Sequence, residues 1–413
     1  MMKLVRDPIH GFIEIDEDKI EIVSNPLFQR LRFISQTGLA SHVYPGMTHT
    51  RFEHSLGVMK ASSEIVKRVG ENSGLDFVSK GFVNLVSSVG MLHDIGHLPF
   101  SHTFELGLEM ANKVYGLRLE DNGRKTHVHI GLRVIEEEFA KNLEKISKET
   151  NISDPVKFTK DALLDVPKSE EERLCSYIIS SSIDADRSDY LLRDSYYAGV
   201  VYGLFDLERL KRILVYRDGK LQVLEKGVPI AEEFLLGRTH MYQNVYFHSV
   251  VGMFNAILAL ALAKMFKDGE LSLPNKSEEL LDMTDFRILT EVGKKGGYAH
   301  DAILFRKGFK RAKDLELNGE CARMFYQVRK EAIDIMRDSD GMVVFHEFSD
   351  APDQDPLNLF VYTKEGPKEM KTVSKVAGAL GRIDKVVLAF HETANSSMVD
   401  RARSLLEWLK STC

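Results

Sequence analysis

Apolar residues recur at helical spacing through the first two thirds of the chain and lose that rhythm in the last third. Between Pro26 and Lys267 the pattern predicts helices over 26–37, 52–70, 80–94, 101–115, 127–147, 157–163, 171–197, 206–214 and 229–266. In the second of these, Leu56, Met59, Ile65, Val66 and Val69 fall on one side. Breaks are expected at Tyr44-Pro45-Gly46, Gly70 to Gly74, Gly96 to Pro99 and around Asp121-Asn122-Gly123, where glycine, proline and asparagine supply turn backbone. Two hairpins are expected. One would join Phe12, Ile13 and Ile15 to Ile20, Ile22 and Val23 across an acidic turn. The other would run from Ile213 to Leu224, with Asp218-Gly219 as its tight turn.

Past Pro274 helical stretches are joined by basic turns. Val343-Val344-Phe345, Asn358 to Tyr362 and Lys385 to Phe390 then read as strands, and Met398 to Lys410 as an amphipathic helix. The expected fold is mainly α: a helical core over 1–275 with short β-hairpins, then a small C-terminal helical and α/β appendage over 276–413. No internal repeat is apparent.

Composition narrows the function classes. A formal charge of -6 argues against a broad basic surface, so strong nucleic-acid binding is not expected, although a local basic pocket would still attract an anion. The stretch Ser249 to Ala263 is uncharged but short and contains Asn255, which predicts a buried core helix and no membrane span. Cys175, Cys321 and Cys413 are few and far apart; they exclude a cysteine zinc site and fit a reducing compartment without disulfides. The first residues carry no apolar signal core, so a cytoplasmic protein is expected.

The chemistry concentrates at His93-Asp94, within Met91-Leu92-His93-Asp94-Ile95-Gly96-His97-Leu98-Pro99-Phe100-Ser101-His102. An imidazole and a carboxylate on adjacent residues reach one metal ion only if further ligands come from elsewhere. His54 heads one predicted helix. Asp186, Tyr190 and Asp194 recur at i, i+4 and i+8 on another, and two carboxylates on one helical face point to a cleft or an ion. On the residues alone, Asp184 or Asp189 could replace Asp186 as the ligand.

The order His54, His93-Asp94, Asp186 resembles the HD phosphohydrolase superfamily. Asp7-Pro8-Ile9-His10-Gly11, Phe28-Gln29-Arg30-Leu31-Arg32, Gln36-Thr37-Gly38, Tyr44-Pro45-Gly46 and Arg51 to Gly57 are similar to its deoxynucleoside triphosphate triphosphohydrolases, which include the SAM-and-HD-domain restriction factor and bacterial relatives. The resemblance covers Val5 to Phe104 and Asp184 to His248, somewhat under half the chain. It implies an HD-domain helical core that cleaves deoxynucleoside triphosphates to deoxynucleoside and inorganic triphosphate by water attack at the α-phosphorus. One divalent metal, iron, manganese, zinc, nickel or magnesium, would be held by His54, His93, Asp94 and Asp186.

The same resemblance implies catalytic roles for His97 and for His127 with Glu105 as its acidic partner, His129 being the neighbour that could take the place of His127. It puts Gln36 and Tyr190 beside the sugar, Asp194 near its 3′ hydroxyl, and Arg51, Arg187, Arg238 and Tyr246 on phosphate and sugar. Each also has a plainer reading: Arg187 could pair with Asp184, Arg51 could be a surface residue, and Arg238 and Tyr246 could be ordinary helix residues. A homo-oligomer, dimer or tetramer, is implied, with a regulatory nucleotide at a subunit interface. Ser24-Asn25-Pro26 replaces the acidic residue with which activated members read guanine, while Gln29 and Arg32 are retained, Lys3 is near the expected basic position, and Arg306 to Lys313 could add phosphate contacts or form a solvated basic face. Two alternatives stay open: an HD phosphohydrolase of another nucleotide (a monophosphate, cyclic dinucleotide or alarmone), and a nucleotide-sensing scaffold with a structural metal.

Overall fold

The computed structural model describes residues 2–119, 126–317, 319–350 and 359–412; the expected break at 121–123, Asn358 and Cys413 lie outside them. Strands β1 (Lys3–Asp7) and β2 (Gly11–Ile15) pair antiparallel, closed by a turn in which Asp7 Oδ1 accepts from the N–H groups of Ile9 (2.9 Å) and His10 (2.8 Å). The hairpin expected over 12–23 is therefore displaced toward the N-terminus. Residues Glu17–Ser24 are helical instead, because Asp16 caps the helix from Lys19 N–H and Glu17 and Asp18 favour its positive end.

The long helices follow the sequence more closely. Helix α1 (Arg51–Ser73) starts on a Thr50/Glu53 capping box and stops at Gly74, φ +62°. It is followed by α2 (Lys80–Leu92), α3 (His102–Tyr115) and α4 (Thr126–Val134), the last continuing through a π turn at Ile135–Phe139 into Ala140–Ile146. Three expected helices are shorter or broken. Helix 26–37 is α-helical only over Pro26–Arg30, with a 3₁₀ turn at Leu31–Phe33, because Ser35 bridges to Thr50. Helix 171–197 divides into Glu170–Ile179 and α5 (Ala185–Ala198), with Asp184 capping α5 through Arg187 N–H (2.7 Å). Helix 229–266 divides into α6 (Val228–Met241) and α7 (Ser249–Lys267), separated by a π turn at Tyr242–Tyr246.

Helix α7 is apolar and long enough to cross a membrane, but 78% of its most apolar window is buried, as expected of a core helix packed along α3. Strands β3 (Leu214–Arg217) and β4 (Lys220–Leu224) form the expected second hairpin. Beyond it come β5 (Phe309–Leu317), β6 (Val343–Asp350), β7 (Phe360–Thr363), β8 (Gly366–Glu369) and β9 (Ile383–His391). Strand β5 falls in the region read as helices and basic turns. It is an edge strand of the order β5-β9-β6, where Lys310, Arg311 and Lys313 meet solvent and blunt the edge. Strands β7 and β8 join the earlier hairpin in the order β3-β4-β7-β8, with Gln222 to Leu224 parallel to Phe360 to Tyr362. Backbone hydrogen bonds thus bridge the boundary expected near residue 275, and most buried apolar residues on both sides of it form one contiguous core. Cys175 is a buried free thiol, whereas Cys321 is disulfide-bonded, which corrects the expectation of no disulfide.

Candidate metal centre and cleft

The candidate ligands converge from three helices. His54 stands in the first turn of α1, His93 and Asp94 leave the end of α2, and Asp186 is in the first turn of α5. His54 Nε2 lies 3.0 Å from Asp186 Oδ1 and 3.5 Å from Asp94 Oδ2; His93 Nε2 lies 3.2 Å from Asp94 Oδ1 and 3.6 Å from Asp186 Oδ1. Both Nε2 atoms are buried without a hydrogen-bond partner, while the other nitrogen of each ring is fixed, His54 Nδ1 on Asp189 Oδ2 (2.8 Å) and His93 Nδ1 on Gly90 O (2.7 Å). Two orphaned imidazole nitrogens facing two carboxylates fit a divalent cation. Burial would lower the pKa of His54, but Asp186 and Asp189 outweigh it and raise it to about 10. A bound cation would take that proton's place.

Behind the ligands is a buried network that the sequence reading missed. Asp189, one of the alternative ligands, accepts instead from His54, from His10 Nε2 (2.8 Å) and from Arg193 through both Nε and Nη2 (2.8 Å each). Arg193, fully buried, donates its remaining nitrogen to Asp7 Oδ2 (2.9 Å). Asp7 and His10 belong to the opening motif, so the first hairpin supports the metal cluster from behind. Asp184, the other alternative, is a buried cap paired with Arg187, and burial raises its pKa to about 7.

The turn after Asp94 carries the rest of the chemistry. Arg30 holds it by donating to Ile95 O (3.0 Å) and His97 O (2.8 Å), and Asp285 holds Phe100 N–H (2.6 Å) and Ser35 N–H (2.8 Å). Phe100 and Ser101 have positive φ, +58° and +54°, a strain of about 1–3 kcal/mol each that these contacts must sustain. Gly96 lets α4 approach: a Cβ there would stand 2.1 Å from His127 O. In consequence the His97 and His127 rings stack, centroids 4.1 Å apart at 9°. His97 Nε2 is 3.2 Å from Asp94 Oδ1, and His127 Nδ1 is 2.6 Å from Glu105 Oε1. The second Glu105 oxygen takes Nδ1 of His102 (2.9 Å), the exposed histidine that closes the Met91 to His102 run.

Charge states differ along this row. Burial, then Arg51 and His127, hold the pKa of His97 well below the usual histidine value, so it is neutral near pH 7. Burial alone would raise Glu105, but hydrogen bonds from His102 and His127 hold it well below the usual carboxylate range. Asp94 is held low likewise, by Arg51, His93 and His97 against burial.

These groups line one cleft of about 950 Å³, a size suited to a nucleotide-like ligand. Gln36, Arg51, Arg187, Tyr190, Asp194 and Tyr246 also line it. Arg51 is pinned by Asp94, Ser101 Oγ (2.9 Å) and Gln36 O (3.3 Å), and Arg187 by Asp184 and Ser181 O (2.6 Å). Asp194 accepts from Tyr246 Oη (2.7 Å) and lies 2.6 Å from His49 Nε2, a residue with no signal in the sequence reading. Arg238 is not at the cleft wall: it is buried with its guanidinium 4.7 Å from the ring centre of Tyr242. His129, at the cleft rim, is exposed, whereas His127 is half-buried on Glu105.

The chain is similar to known proteins over most of its length. The HD domain family matches residues 51–194 and the HD associated region residues 205–389. An uncharacterized protein of Methanocaldococcus jannaschii is 32% identical over 92% of this chain and 76% of its own length. The deoxynucleoside triphosphate triphosphohydrolase SAMHD1 of Homo sapiens is 29% identical over 64% of this chain, which spans 44% of that protein. Among solved structures, a phosphohydrolase from Bacteroides thetaiotaomicron superimposes with a TM-score of 0.72 at 25% identity, covering 95% of this chain and 100% of that one.

Proposed function

Because this chain belongs to the HD-domain family, we propose that it is a metal-dependent hydrolase that cuts deoxynucleoside triphosphates into deoxynucleoside and inorganic triphosphate. The observation that carries the reading is the continuity of one cleft: the orphaned His93 with Asp94 and Asp186 at one part, the stacked His97 and His127 beside them, and Tyr190, Tyr246 and Asp194 further on. The similarity to human SAMHD1 supports it.

His54, His93, Asp94 and Asp186 would hold one divalent ion, whose contribution is to polarise a phosphoryl oxygen. Arg51 and Arg187 supply positive charge at the cleft wall toward the triphosphate. Glu105 keeps the His127 ring oriented, and neutral His97 stacked on it limits its rotation. From that position His127 protonates the departing 5′ oxygen while water attacks the α-phosphorus. Tyr190 packs against the sugar, and Asp194, held by His49 and Tyr246, meets its 3′ hydroxyl. A homo-oligomer with an interface nucleotide belongs to the same reading; light scattering at micromolar concentration should find no stable monomer.

Hydrolysis in ¹⁸O-water tests the reaction. Mass spectrometry should find the label in inorganic triphosphate and none in the nucleoside; nucleoside monophosphate with labelled pyrophosphate would overturn the reading.

A further inference from the structure

One end of the cleft is lined by residues that the phosphate chemistry does not use: Phe247, Val251 and Asn255 around the start of α7, and His346 and Phe348 of β6. Their rings are part of a continuous series. His346 and Phe348 are 4.2 Å apart between centroids, Phe348 stacks on Phe247 at 4.7 Å and 23°, Phe247 meets Tyr242 at 5.3 Å, Tyr242 meets Tyr246 at 5.1 Å, and Tyr246 meets Tyr190 at 6.1 Å. Aromatic surface therefore runs from the partner of Asp194 to the C-terminal sheet. Phe247 and Phe348, with Val387, form a buried cluster separate from the main core. β6 approaches α7 this closely at Gly252, where a Cβ would stand 2.4 Å from Phe348 Cζ and 2.7 Å from His346 Cδ2.

One polar atom stands out at this apolar end. His346 is only 7% exposed, and its Nδ1 has no hydrogen-bond partner. Leaving such an atom unpaired is unfavourable, so the ring at this wall is poised to gain from a polar partner. Burial, opposed by Glu109 of α3, lowers the pKa of His346 to about 4, so near pH 7 the ring is neutral and offers one donor and one acceptor.

Resting on the reading of the substrate as a nucleoside triphosphate, we propose that this aromatic end is the base subsite and that His346, supplied by the C-terminal sheet, is a specificity residue whose imidazole hydrogen-bonds one edge of the base. With phosphates at the His54–His93 cluster and the sugar at Tyr190 and Asp194, the base extends along the ring series toward Phe247 and Phe348. Stacking there is tolerant of base identity, whereas a buried polar atom is selective, because the wrong edge leaves it unpaired.

The test compares kcat/KM of the metal-loaded full chain for the four deoxynucleoside triphosphates and for 2-deoxyribose 5-triphosphate, which has no base. Loss of the base should lower kcat/KM of the wild type about 10–100-fold. His346→Phe should lower kcat/KM for the preferred base about 3–10-fold, chiefly through KM, and narrow the spread among the four bases with metal content unchanged. Equal cleavage of the baseless triphosphate by the wild type would overturn the subsite, whether or not the variant folds. An unchanged spread in a folded His346→Phe would overturn the role of His346. Failure of the proposed reaction itself would look different: no triphosphate would be cleaved, and calorimetric titration with the same uncleaved nucleotides would then read the dependence of binding on the base and on residue 346.

Discussion

His127 is fixed from two directions, by the Glu105 carboxylate on one ring nitrogen and by the face of His97, and this is the geometry expected of a side chain that must deliver a proton to one place. Glu105→Gln and His127→Ala should each lower kcat about 10²–10⁴-fold with the metal retained, measured by steady-state kinetics and elemental analysis; loss on His129→Ala instead would move the role to that residue. His346 gives a stability test independent of activity. Its pKa is 6.5 ordinarily and about 4 when folded, with Glu109 as the charged group acting on it. Above about 6.5 it is neutral in both states; as pH falls toward 4 the unfolded chain binds a proton that the folded one does not, and stability of about 3 kcal/mol is lost. Urea unfolding at pH 7 and 4.5 should therefore show a smaller drop for His346→Phe than for the wild type, and equal drops would refute the buried neutral ring. The ligand candidates were legible in the sequence because His93-Asp94 lies within a long motif, and the pairing of Glu105 with His127 followed once the family was recognised. His10 and His49 were not legible as supporting residues, since each acts on a partner more than a hundred positions away, and Arg193 pairs with Asp189 one turn earlier but reaches Asp7 only through the fold.

At the scale of elements, the cluster depends on helices meeting a hairpin. Asp189 connects α5 to α1 through His54 and to the first hairpin through His10 and the Arg193–Asp7 pair. Asp189→Asn should weaken metal binding about 10–100-fold, measured by competition with a chelator, while Asp184→Asn, which alters a helix cap, should affect thermal stability more than affinity. Asp285→Ala should likewise free the strained Phe100–Ser101 turn and speed amide exchange there. The helix periodicity carried through Ser180–Asp184 and Tyr242–His248 because flanking residues stay apolar, so the pattern predicted continuous helices. The breaks come from tertiary demands: Asp184 must cap α5 beside the candidate ligand Asp186, and the π turn carries Tyr242 and Tyr246 to the cleft wall. Strand β5 was hidden for another reason, an edge rich in charge having no period-two apolar signal to read.

For the whole molecule, the pairing of β7 with β4 and the packing of β6 over α7 make the last third part of the same body as the helical core. A fragment ending at residue 275 should lack cooperative unfolding and bind the dye ANS, because β4 loses a neighbour and the β6 face of α7 is uncovered; the full chain should unfold in one transition with no dye binding. A fragment with a sharp transition of its own would show that the core stands alone. The cleft's two sides also come from stretches of chain that can change independently over evolutionary time. The histidines and carboxylates belong to the first half, while His346 and Phe348 arrive on β6 more than 150 residues after Asp186. Substitutions in that late strand can redraw the shape of the far wall without disturbing a single group around His93-Asp94. Proteins with identical chemistry at one end of such a cleft can therefore differ in the shape of its other end, and that difference lies in β6, outside the motif by which they are recognised.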